Sequence, residues 1–377
     1  MLEDLIFLIF TFLSLIGIKI KGKNSFFYNY LEIENTKPIR GIFVWMIFFR
    51  HYTGYYKRDL RKISIKIDKS LEQNIVSLFL FYSGYGINLC YKNKGIKYIK
   101  TLPIKSLVIF IKSQLILLIF ILNNIILGKK ISFKYYLYSV IFKKGIGNSY
   151  WFAFTIITLY IHSFLSFILI NNKKFHFLGI IFLTIICQFH VKFVYKYYHP
   201  KEIISVDTII CFIIGFYYSF FQVYLDKLIM LNDYIYFSLI STCSFFYHKF
   251  YFNENFKNIY CRSIRNGFFT ILIIMFSMKI QFKNEFLEFM NFHSYSIYLI
   301  QRAIMIFIHE KKYFKNNEFV RFLFEFFTVL SMSCFFDKYS VYIDIMFQRK
   351  IKFIRKEKKK DYNFIVIDNN LNLSNRF

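Results

Sequence analysis

Arg40 and His51 are the residues of this chain best suited to chemistry, and their spacing makes them a pair. They bracket a nearly apolar stretch, RGIFVWMIFFRH, with Arg50 beside the histidine. At about 100° per residue, eleven positions are three turns plus roughly 20°, so both side chains leave one side of a helix. A guanidinium stays protonated and offers a fork of donors that fits a phosphate. A neutral imidazole can accept a proton from a hydroxyl near neutral pH. The pair predicts a site that grips an anion at Arg40 and moves a proton at His51, about 16 Å further along the helix. Read alone, Arg40 equally suits a cytosolic anchor at a helix end, and His51 an outer interface.

The elements that position this pair follow from composition. The chain has 377 residues, 56% hydrophobic and 23% aromatic, with a mean hydropathy of +0.40. A soluble domain could not hide so much apolar surface. Stretches of about 20 apolar residues fit a membrane span. They occur near 5–20, 39–56, 71–91, 106–127, 150–170, 176–195, 203–222, 228–247, 267–281, 291–309 and 320–347. The predicted fold is all-α, a polytopic transmembrane helix bundle of about ten to eleven spans. Pro38, Pro103 and Pro200 each precede a proposed helix, where a missing N–H costs little.

Residues 1–34 read as an extra N-terminal span with a cytosolic loop, 35–347 as one membrane domain, and 348–377 as a basic then polar cytosolic tail. The acidic start, MLED, and the lack of a small-residue cleavage site argue against a cleaved signal peptide. Lysines 19, 21, 23 and 37 put the first loop in the cytosol, and the basic cluster from Arg349 to Lys360 does the same for the tail. Residues 21–38, 92–105 and the tail are thus expected inside. The basic loop after His51, with Lys57, Arg58 and Arg61, runs against this scheme.

The net charge of +28 suits lipid headgroups and a polyanionic substrate, although Lys is also the default polar residue of so Phe-, Ile- and Asn-rich a chain. Nucleic acid is excluded as a partner, because the basic residues sit in loops between apolar spans and no binding module is visible. The six cysteines form no C-x-x-C, and the histidines no ligand spacing. The cysteines therefore read as reduced, buried and structural, and no metal site is expected. His162, His190 and His293 read as satisfied bundle residues, Trp151 and Tyr160 as interface and packing residues.

Four segments, in order, resemble the acyltransferase-3 family of integral-membrane O-acyltransferases. Residues 40–51 resemble its opening arginine, glycine and apolar helix ending in histidine. Residues 79–91, FLFYSGYGINLCY, resemble its phenylalanine-rich Ser-Gly helix, followed here by Lys92 and Lys94. Residues 149–160, SYWFAFTIITLY, resemble its Trp-plus-aromatic helix, and 294–301, SYSIYLIQ, its late Ser-Tyr…Tyr-Leu motif. The chain departs from the pattern at Gln301, where many members carry histidine, and in having only lysines (Lys97, Lys100, Lys105) after the Ser-Gly helix.

The resemblance implies transfer of an acyl group, usually acetyl, from acetyl-CoA to a hydroxyl of an envelope glycan or glycolipid. It also implies a bacterial-type cytoplasmic membrane and contact with membrane lipids. On this reading His51 is the catalytic base, and Arg40, Lys92 and Lys94 hold the phosphates of the donor. Ser83, Tyr85 and Tyr298 become candidates to bind substrate or a developing oxyanion. The Ser83–Gly86 stretch also suits a close helix-packing surface. A glycolipid transporter or flippase is the alternative from another class, its intramembrane charges lining a path. A multi-span glycosyltransferase using Glu32 and Glu34 on a metal is the third reading, disfavoured by the lysines around that pair.

Overall fold

The computed structural model describes residues 2–55, 71, 73–141, 146, 150–170, 173–197, 206–252, 258–314 and 317–363. Among these the chain forms fourteen α-helices and two strands of two residues each. The helices begin with α1 (Leu2–Leu15), α2 (Ile33–Tyr55), α3 (Asn74–Lys94), α4 (Ile96–Ile99), α5 (Leu102–Ile126), α6 (Phe133–Val140) and α7 (Tyr150–Leu169). They continue with α8 (His176–Tyr197), α9 (Ile209–Ile229), α10 (Asp233–Phe252), α11 (Ile259–Lys279), α12 (Glu285–Phe292), α13 (Ser294–Glu310) and α14 (Glu318–Asn363). The fold is all-α. Among the described residues six stretches, against the ten to eleven expected, are long and apolar enough to cross a membrane: 96–126, 151–169, 176–194, 209–229, 259–279 and 318–347. This is an integral membrane architecture.

Every segment marked by hydropathy contains a helix, but the boundaries differ where charge or proline blurs the signal. Pro38 lies inside α2, which starts at Ile33 and not after the proline. Pro103 does sit in the first turn of α5, and Pro200 lies outside the described residues. α11 begins at Ile259, well before the apolar run, because Arg262 reaches Asp207 at 3.5 Å and Arg265 lies over the Tyr251 ring at 5.6 Å. α14 runs to Asn363, taking the first part of the expected basic tail into the helix. The short helices α6 and α12 fall below the length that a span search can find.

Helix directions follow from which residues meet. α3 and α9 run parallel, with Gly84 against Phe212, Asn88 donating to the Phe216 carbonyl at 3.1 Å, and Lys92 donating to the Ser219 carbonyl. A Cβ on Gly84 would lie 2.1 Å from the Phe212 carbonyl oxygen, and one on Gly215 2.3 Å from that of Phe81. Only glycine lets these two backbones approach so closely. α2 is pinned in the same way: a Cβ on Gly41 would sit 2.0 Å from the Leu287 carbonyl oxygen of α12. α1 is attached by aromatic stacking, with the Phe10 and Trp45 ring centroids 3.8 Å apart.

The segment between α1 and α2 is tied down by a small polar clasp. β1 (Lys19–Ile20) pairs antiparallel with β2 (Ile280–Gln281). Lys279 bonds Asp233 at 2.6 Å and the Gly22 carbonyl at 2.9 Å. The Tyr30 hydroxyl donates to Asp226 at 2.6 Å and lies 2.7 Å from the Tyr218 hydroxyl. Far along the chain, Lys129 at the end of α5 meets Glu310 at the end of α13 at 2.8 Å. That hydrogen bond holds the Glu310 carboxyl below the usual carboxylate range.

Candidate functional site

α2 turns one continuous face to the bundle interior. Arg40, Val44, Ile47 and His51 stand at helical positions i, i+4, i+7 and i+11, which align on one side. Arg40 lines a cleft of about 400 Å³ whose other walls include Tyr82, Ser83, Gly86, Tyr160 and Tyr295. Val44 and Ile47 line an adjoining cavity of about 70 Å³ with Val76, Ser294 and Tyr298. The two share three aromatic walls, Phe79, Phe152 and Tyr295. α2 and α3 are antiparallel here, so Arg40 meets Tyr82 while Ile47 lies near Val76.

The Arg40 guanidinium is held but not neutralised. Its Nε donates to the Thr36 carbonyl at 3.4 Å and an Nη to the Thr36 hydroxyl at 3.3 Å. Its carbon lies 5.6 Å from the Tyr82 ring centroid, a cation–π geometry. No carboxylate pairs with it among the described residues. An unneutralised cation on the wall of an apolar cleft is costly unless an anion visits it.

His51 stands at the other end, its ring 6.5 Å from that of Tyr298 in an edge-to-face arrangement. Beyond it the Tyr55 hydroxyl accepts from Arg302 at 3.1 Å, and Tyr52 donates to the Glu318 carbonyl at 3.2 Å. α2 and α13 therefore run parallel, and α13 brings Tyr295 to the cleft and Tyr298 to the histidine. Tyr295 is fixed by its hydroxyl, 2.8 Å from that of Ser113 and 3.1 Å from the Ile109 carbonyl it donates to.

The predicted residues do not all converge. Ser83 faces the cleft, but Tyr85, two positions on, leaves the opposite side of α3 and donates to Gln222 at 2.8 Å. Lys92 is spent on α9, bonding the Ser219 and Phe220 carbonyls with its ammonium 5.7 Å from the Phe220 ring. Lys94 is exposed and near enough to Lys105 for the two charges to repel. Lys105 in turn donates to Tyr98, a cleft residue, at 3.0 Å. Tyr160, expected in the interface, is a wall of the cleft and lies beside Ser83.

Tyr82, Tyr295 and Phe152 are the site residues that the sequence did not single out. The signals were slight: Tyr295 stands three positions before Tyr298 on one helix face, Tyr82 adjoins Ser83, and Phe152 adjoins Trp151. Elsewhere, His162 faces His190 with ring centroids 5.2 Å apart, and the Asn88 amide oxygen accepts from His176 Nε2 at 2.6 Å. Glu34 is paired with Lys37 at 2.7 Å, and Glu32 with Asn29 at 3.4 Å. Among the described residues no three His, Cys, Asp or Glu side chains gather as metal ligands. Comparison with protein-family models, curated proteins and solved structures gives no match to this chain.

Proposed function

We propose that this protein is a membrane O-acyltransferase, moving an acyl group, acetyl in the first instance, from a coenzyme A thioester to a hydroxyl of an envelope glycan or glycolipid. The observation that carries this reading is the α2 face. It joins a guanidinium without a carboxylate partner among the described residues, at a 400 Å³ cleft, to a histidine whose ring lies 6.5 Å from that of Tyr298, a wall of the adjoining cavity. Arg40 grips a phosphate of the donor, and Lys105, which donates to the cleft residue Tyr98, attracts the rest of its charge. His51 takes the proton of the acceptor hydroxyl, the hydroxyl oxygen attacks the thioester carbonyl, and the carbon–sulfur bond breaks. The proton leaves on the donor thiol. Tyr298 and Ser83 are the hydroxyls available to a developing oxyanion.

The proposed topology has eleven spans, one per long helix, with residues 21–38 and 92–105 and the tail inside a bacterial-type cytoplasmic membrane. The parallel and antiparallel pairings of α2, α3, α9 and α13 support that alternation. The test is the purified full chain in lipid vesicles with isotope-labelled acetyl-CoA, and mass spectrometry of envelope glycans and lipids with and without the protein. An ester mass that depends on His51 supports the reading. Movement of glycolipid between leaflets with no ester formed and no acetyl-CoA bound would favour the flippase reading.

A further inference from the structure

α13 and α14 carry a second polar cluster, remote in sequence from Arg40 and His51. The His293 Nδ1 lies 2.6 Å from the Asp337 carboxylate, and its Nε2 lies 3.5 Å from Sγ of Cys334. Ser296, fully buried, donates to the same Asp337 oxygen at 2.6 Å. Carboxylate on one ring nitrogen and thiol on the other is the arrangement of a nucleophile, its base and the group that orients the base. With Nδ1–H bonded to Asp337, Nε2 keeps its lone pair toward the thiol. Cys334 and Asp337 are three residues apart on one helix face, and His293 is the N-cap of α13. The His293 ring also packs against the Phe289 and Phe292 rings, with centroids 4.8 and 4.9 Å away.

The surroundings point to the substrate. His293 is almost buried, but Cys334 is partly accessible, and the rings of Phe292, Phe335 and Tyr339 near it are exposed at 76%, 64% and 51%. In a membrane helix such rings face acyl chains. Asp337 and Lys338 follow within about one turn, so charged groups stand close to the sulfur along the helix.

We propose that Cys334 is a nucleophile that accepts an acyl group from an acyl thioester, with His293 as base and Asp337 as positioning residue. His293 takes the Sγ proton, the sulfur attacks the thioester carbonyl, and a new carbon–sulfur bond forms as the donor's breaks. The departing thiolate takes the proton back from the imidazolium. The products are S-acyl-Cys334 and a free thiol, with no oxidant or reductant involved. The choice of coenzyme A thioesters as donors rests on the inward orientation proposed above for this end of the bundle.

The experiment uses the full chain in vesicles with radiolabelled palmitoyl-CoA and, separately, acetyl-CoA. A hydroxylamine-labile label on the protein, mapped to Cys334, is expected, with the palmitoyl arm faster if the exposed rings guide the chain. Cys334→Ala abolishes it and His293→Gln lowers its rate at least tenfold. The wild-type protein supplies a test free of folding effects. Iodoacetamide at neutral pH should alkylate Cys334 at least tenfold faster than Cys90 and Cys243, which are similarly accessible. No labile label with either donor, a label that survives Cys334→Ala, or equal alkylation of the three thiols would overturn the proposal. Because the label is read on the protein and the proposed O-acyl transfer on its acceptor, each can fail while the other stands.

Discussion

Two pairs of neighbours, Arg40–Gly41 on α2 and Ser83–Gly84 on α3, divide their helices into a face that packs and a face that stays open. Gly41 and Gly84 are pressed against the carbonyls of Leu287 and Phe212. Arg40 and Ser83, one position earlier, look into the cleft. The contrast teaches how a soft, lipid-embedded bundle builds a defined void. Close backbone contact on one side removes the freedom of the helix to roll, so the other side can be left unfilled without collapsing.

Substitutions can break this comparison from either side. The largest effect is expected at the open face, where His51→Gln keeps a hydrogen bond but cannot take up a proton at neutral pH. Acyl transfer should fall ~10²–10⁴-fold with membrane insertion at wild-type level, measured by ester formation on the acceptor and by protein yield. If most of the ester remains, His51 only positions. On the packing face, Gly84→Leu and Gly41→Leu place side chains where a backbone carbonyl already stands. Each should cost about 1–3 kcal/mol or more, read as a lower midpoint in detergent unfolding. Unaltered midpoints would remove the packing argument.

Arg40→Lys retains charge but loses the fork, and donor affinity measured by titration calorimetry should weaken by ~1–3 kcal/mol. Unchanged affinity in a folded variant would take Arg40 out of the site. Tyr85→Phe removes the hydrogen bond to Gln222 and should cost about 1 kcal/mol of stability, with transfer rates at wild-type level. A large loss of transfer would return Tyr85 to the chemistry. The smallest and sharpest contrast is Gly86→Ala. Nothing lies within 4 Å of a Cβ there, so the helix gains up to ~1 kcal/mol, opposite in sign to Gly84→Ala.

Much of the frame was legible in the sequence because membrane spans are long and their signal is summed over many residues. The Arg40–His51 register was legible too, since helical spacing alone fixes it. The division of Ser83 from Tyr85 could have been read: residues two apart on a helix do not share a face. Tyr82, Phe152 and Tyr295 were hidden by abundance, for among 53 Phe and 31 Tyr no single ring stands out. Lys92 reads from sequence as a ligand for phosphate because its partners are backbone carbonyls 127 and 128 positions away, which carry no sequence signature. His293 reads as a satisfied bundle residue and not as part of a cluster for the same reason, as its partners Cys334 and Asp337 lie 41 and 44 positions off.

The three rings shared by the two cavities bear on a matter separate from catalysis. On the proposed reading, a substrate arm threads from one leaflet toward the other, and an open path of that kind would conduct protons and short-circuit the membrane. Phe79, Phe152 and Tyr295 wall both cavities, and on that reading their rings would stand across the arm's path, where apolar constrictions dewet and block ions. A slender acyl arm can part the rings, whereas a hydrated ion would have to shed its water shell. On that reading the three rings would act as an electrical insulator, letting the arm through without discharging the membrane.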